Sequence, residues 1–196
     1  MLIYGQYNRE QNWFTYRKAS KGVILLVENG IKWLKINEIA SKRVNEILNQ
    51  YALIFGISKE DQFILNEIRS KANNGFIPNP DSLEEVAYEM NNPNILALAA
   101  FFHRELGRFL ASLHLVERKY LKEIVGAYFE AISLLIVTLI INKNCNKLLT
   151  ELIRTISELL LIIKREQSDE TMSMVRVLEL IMSKLMMIGS INGERN

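Results

Sequence analysis

His103 and His114 are the only histidines in the chain, and Cys145 is the only cysteine. Imidazole and thiol are the side chains best suited to metal ligation and nucleophilic chemistry near neutral pH, so their spacing is the first guide to function. The two histidines stand about three helical turns apart, on one helix face but separated by about 16 Å. One ion cannot be held by both, and Glu105 and Glu117 do not complete a ligand set at helical spacing. Both are read as interfacial or hydrogen-bonded histidines, and no metal or cofactor is expected. Cys145 has no histidine near it in sequence, and Lys147 favours its thiolate only modestly. It is read as a cysteine in a polar turn. Ser20-Lys-Gly22 lacks the spacing of a phosphate cradle, and no HExxH or GxSxG pattern occurs. No residue is assigned a catalytic role, and the chain is not expected to be an enzyme.

A second kind of chemistry is charge with stacking. Arg17, Lys18, Lys21, Lys32 and Lys35, followed by Lys42-Arg43, are interleaved with Trp13, Tyr16 and Trp33. Cations hold phosphates and aromatic rings stack bases, so this set is a candidate nucleic-acid or partner surface. The preferred reading is the solvated face of a hairpin whose aromatics turn inward. The charge excess there is small, and affinity for nucleic acid scales with the phosphates neutralised. Residues 1–50 carry a balance of +4 and residues 51–93 one of −4, within a net charge of +2 for the whole chain.

The elements that position these residues fall into three stretches. Residues 1–50 hold six of the 17 aromatics, and Gly22–Val27 and Ile31–Ile36 flank Glu28-Asn29-Gly30. Asn-Gly between apolar, β-branched runs predicts a β-hairpin, with Trp13–Arg17 as a third strand. From Asn37 the apolar period becomes helical through Ile39, Val44, Ile47, Leu48 and Tyr51. Residues 51–93 read as an acidic helical linker. In it Ser58 and Asp61 have capping-box spacing, Asp81-Ser82 caps a short helix to Met90, and Lys71–Pro80 and Asn91–Pro93 are breaks. Residues 94–196 predict an antiparallel helical domain with helices near 94–114, 117–141, 148–166 and 171–188, joined by short turns. The fold class is therefore mainly α with a small N-terminal β module, an α+β arrangement around a helical bundle.

Composition narrows the class further. Apolar residues make up 49% and charged residues 23% of the 196, which suits a folded domain and not long disorder. A single cysteine excludes a disulfide-stapled scaffold and favours a reducing, intracellular location, cytoplasmic or nucleoid-associated. The longest uncharged apolar run, Ala131–Ile141, is shorter than the roughly 20 residues of a membrane-crossing helix and predicts a core helix. No membrane association is expected. Leu159–Ile163 and Leu134–Val137 are apolar around more than one helical face, and five of the seven methionines lie in 172–187. Helices apolar all round need cover on both sides, and methionine adapts to partners. Leu160, Met182 and Met186 are the candidate subunit interface.

The order of these elements resembles the GINS subunits of archaeal and eukaryotic replication forks. Phe76-Ile-Pro-Asn-Pro80 before a short helix is similar to that family's Pro-containing entry into its helical domain. Tyr120–Ile141 resembles its long central helix, and Leu148-Leu-Thr-Glu-Leu-Ile153 its penultimate segment; the Met-rich last helix has no counterpart there. The resemblance implies a non-catalytic scaffold within a hetero-oligomer that tethers helicase and primase. The alternative function is a nucleic-acid-binding module, such as a small helical subunit of an RNA-guided complex or a regulator.

Overall fold

The computed structural model describes residues 4–8, 13–17, 30–142, 145–166 and 168–193, and this part of the chain is mostly helical. Strands β1 (Tyr4–Asn8) and β2 (Trp13–Arg17) pair antiparallel, with Tyr4 opposite Arg17. The next described element is helix α1 (Gly30–Phe55). It ends at Gly56, whose φ of +75° is the left-handed conformation that glycine adopts without a Cβ clash, and whose N–H bonds to the Ala52 carbonyl. Helix α2 (Lys59–Ala72) begins with the Ser58–Asp61 capping box, in which each side chain takes the other residue's backbone N–H. Strand β3 (Phe76–Pro78) pairs antiparallel with β2. Four helices follow: α3 (Pro80–Glu89), α4 (Pro93–Glu117), α5 (Leu121–Ile141) and α6 (Asn146–Ile163). The last is α7 (Asp169–Gly193).

The expected hairpin strand at Ile31–Ile36 is instead the first part of α1. Trp33, Ile36, Ala40, Val44, Ile47 and Tyr51 advance by three or four residues, one uninterrupted helical stripe, and extending an existing helix costs far less than nucleating a new element. The partner run Gly22–Val27 lies outside the described residues. Asn79, not Asp81-Ser82, caps α3: its side chain accepts the Asp81 N–H, and Pro80 occupies the first helical position, where no N–H is needed. Asn92 and Pro93 repeat the device at the start of α4.

Helix α4 organises the core. Its residues from Ile95 to Glu105 are buried without interruption. It packs on α3, on α5 and on α1. One apolar cluster runs from Val44 in α1 through Phe101 and Phe102 in α4 to Leu178 in α7. A turn closed by Arg118 at φ +56° lets α5 fold back along α4. The two helices approach closely because Gly107 has no side chain: a Cβ there would stand 2.6 Å from Cε2 of the buried Tyr128 ring. Helix α5 is long and apolar enough to cross a membrane, and its face from Ile124 through Tyr128, Ala131 and Leu135 is buried against its neighbours.

Gly107→Ala should force Tyr128 and α5 away from α4. The expected loss is about 1–3 kcal/mol of stability, read by urea denaturation, with helix content retained.

Candidate functional site

Arg104, Glu105 and Arg108 place three charges in the middle of the mostly apolar helix α4, and charges so placed need partners. Arg104 is 2% exposed. Its Nη1 donates to Glu151 Oε2 at 2.8 Å and Thr155 Oγ1 at 3.2 Å on α6, and its Nη2 to Gln50 Oε1 at 3.0 Å on α1. The guanidinium carbon also lies 5.4 Å from the centre of the Phe101 ring. One turn on, Arg108 grips Glu158 of α6 with both Nε and Nη2, a bidentate pair, and reaches Glu105 with Nη1. Glu105 in turn accepts from Arg43 Nε of α1 at 3.1 Å. Tyr128 Oη of α5 donates to Glu158 Oε2. The network ties four helices together through α4.

Burial pulls the Arg104 guanidinium below the usual arginine value, outweighing its bond to Glu151. Burial acts in the same direction on Arg108, but there Glu158 and Glu105 win and hold its pKa up. Burial opposes the charge of Glu158 as well, yet the Arg108 hydrogen bond and the charges of Arg108 and Arg104 keep its carboxyl below the ordinary value of 4.5. Burial, then the Glu158 charge, pushes the Tyr128 phenol up, so it stays protonated. A cleft of about 650 Å³ opens between α1, α4 and α6 beside this network. Its arginines are held by carboxylates, and it presents neither a thiol nor an imidazole. The arrangement joins α1, α4, α5 and α6 to one another. Arg104 Nε and Gln50 Nε2 are buried without a hydrogen-bond partner among the described residues.

The histidines lie on α4 and do not line that cleft: His103 is near the middle of the helix and His114 near its C-terminal end. His114 Nδ1 accepts the Tyr120 N–H at 3.1 Å, which leaves the proton on Nε2. Nε2 stands 3.2 Å from Glu166 Oε1, within ion-pair reach but not aligned as a hydrogen bond. His103 faces α3 instead. Its Nε2 is 2.5 Å from Glu84 Oε1 and 3.8 Å from Asp81 Oδ1. Asp81 and His103 also line a cavity of about 410 Å³ at the α3–α4–α5 edge, together with Glu123 and Glu130. Cys145 is half-buried at the start of α6.

The residues singled out in the sequence are dispersed. Arg17 ends β2, while Lys32 and Lys35 fall in the first turns of α1. Lys18 and Lys21 lie outside the described residues. Leu160 is 4% exposed and belongs to this chain's own core, so it is not available to a partner as expected. Met182 is half-buried against the core, and Met186 is open to solvent. The network of Arg104, Arg108, Glu151 and Glu158 was not anticipated. Its signal was there in Arg104 and Arg108, two cations one turn apart in a helix that otherwise reads as core. Comparisons with family models, with curated proteins and with solved structures find no match to this chain.

Arg104→Ala should leave Glu151 without its buried partner and cost about 3–5 kcal/mol in chemical denaturation. Replacing both, Arg104→Met with Glu151→Leu, should recover much of that loss. Glu158 titrates lower in the folded chain than in the unfolded one. Its contribution is therefore complete above the ordinary carboxyl value of 4.5 and is lost as pH falls through the folded value. In denaturant titrations from about pH 6 down to pH 3, Glu158→Gln should be less stable than the parent at the upper end and should lose less stability on acidification.

Proposed function

We propose that the chain is a non-catalytic interaction subunit of a multiprotein assembly. The observation that carries this reading is the outward face of α5. Phe129, Ile136, Val137, Ile140 and Ile141 are all exposed on a helix whose opposite face is core, and Ile140 reaches 68% exposure. Phe129, Ile136 and Ile140 recur at helical spacing, so they form a stripe and not scattered contacts. A contiguous apolar stripe costs free energy in water and is the usual mark of a surface that another protein covers. Val177, Leu180, Met186 and Met187 are also exposed, on α7.

The replication-fork scaffold implied by the GINS resemblance is the specific form of this proposal, with helicase and primase subunits as partners and an intracellular location. In that form β1 and β2 belong to a small N-terminal β module, and Arg17 stands on a second contact surface. The alternative, a nucleic-acid-binding module, rests on Lys32 and Lys35 with Arg17. It gains nothing from the arginine-lined cleft, because Arg43, Arg104, Arg108 and Arg154 already face carboxylates there. Steep salt dependence of binding would favour it.

The test is affinity capture from nuclease-treated extract with the parent chain and with an Ile136→Lys, Ile140→Lys variant. The expected result is a stoichiometric protein partner retained by the parent and lost by the variant, with unchanged thermal melting. Flotation of the purified parent with liposomes, abolished in the variant, would overturn the reading in favour of a lipid surface.

A further inference from the structure

We propose that Asp81, Glu84 and His103 form a binding site for a divalent transition-metal ion at the α3–α4 junction. The inference is independent of the interaction surface on α5. One ligand atom from each of the three side chains lies within 4.8 Å of the other two. Ions held at about 2.0–2.2 Å by nitrogen and oxygen ligands bring those atoms to about 3–4 Å from one another. The separations of 2.5 Å and 3.8 Å from His103 Nε2 to Glu84 and Asp81 therefore need only small side-chain adjustments around an ion.

The backbone sets this convergence. Asp81 and Glu84 are three residues apart on α3 and so share a face. The short turn through Asn91 and Asn92 folds α4 against that face, bringing up His103 with its ring 5% exposed. A buried imidazole is a fixed ligand, and the half-exposed Asp81 keeps an approach open from solvent.

An ordinary histidine–carboxylate pair accounts for Glu84 alone. Asp81 brings a second carboxylate toward the same nitrogen, and Glu123 and Glu130 line the adjoining cavity. Among the described residues, no lysine or arginine lines that cavity. Two carboxylates on one imidazole nitrogen give a local field that favours a dication. One imidazole with two carboxylates suits manganese, iron(II) or zinc better than magnesium or calcium, which take all-oxygen sets. Three protein ligands on one side leave the cavity side for water.

The experiment is titration of the chelator-stripped full chain with cobalt(II) by visible absorption, and with zinc(II) and manganese(II) by calorimetry. One site per chain is expected. Asp81→Asn and Glu84→Gln should each weaken binding about tenfold or more, and the double variant should abolish it with an unchanged circular dichroism spectrum. These positions are at the solvent edge, so the test does not depend on a buried His103→Gln variant folding. No binding by the parent, or equal binding by the double variant, would overturn the proposal.

Discussion

Two guanidinium groups set in the middle of a buried helix must be neutralised where they stand, and that demand governs how the helices around α4 are placed. Arg104 reaches α6 and α1 at once, and Arg108 reaches α6 with both arms of its fork. Apolar packing alone tolerates sliding of one helix along another by a turn. A bidentate ion pair does not, because a shift of one turn would leave a buried charge facing hydrocarbon. The cost of mispairing is what gives these contacts their specificity, more than any gain they add over a well-packed apolar core. Tyr128 brings α5 into the same register through Glu158.

With α4 held in this way, the molecule divides its chemistry by face. The side toward α1 and α6 is ionic and internally balanced. The side toward α3 and the edge of α5 carries Asp81, Glu84, Glu123 and Glu130, with His103 beside the first two. The outer face of α5 is apolar. These three surfaces do not overlap, so a partner on the α5 stripe and an ion at Asp81, Glu84 and His103 need not compete for residues.

The helices after residue 37 were legible through their apolar period and chemical punctuation, a capping box at Ser58 and breaks ending at Pro80 and Pro93, although the cap of α3 is Asn79 and not Asp81-Ser82. Ile31–Ile36 was not, because six residues of rough alternation resemble a strand until the longer stripe to Tyr51 is followed through. Leu159–Ile163 suggested cover by another subunit. In the structure Leu159, Leu160 and Ile163 face the core, Leu161 is 62% exposed, and α7 supplies cover from within the chain. The convergence on His103 was invisible for a different reason. A ligand search along one helix sees only residues three or four positions away, whereas Asp81 and Glu84 arrive from the preceding helix by tertiary folding. The arginine network was hidden in the same way, since Glu151 and Glu158 are about fifty residues from the cations they neutralise.

Helix α7 leans mainly on α6, and its outer side from Met172 to Met187 stays open to water. Its amides therefore have a route to solvent that those of α4 lack, because α4 cannot open without breaking its ion pairs and exposing its apolar flanks. Among the helices described, local opening free energies should be lower in this C-terminal helix than in α4. The last helix is thus more easily peeled away and re-docked than α4, with the helices around α4 keeping their shape.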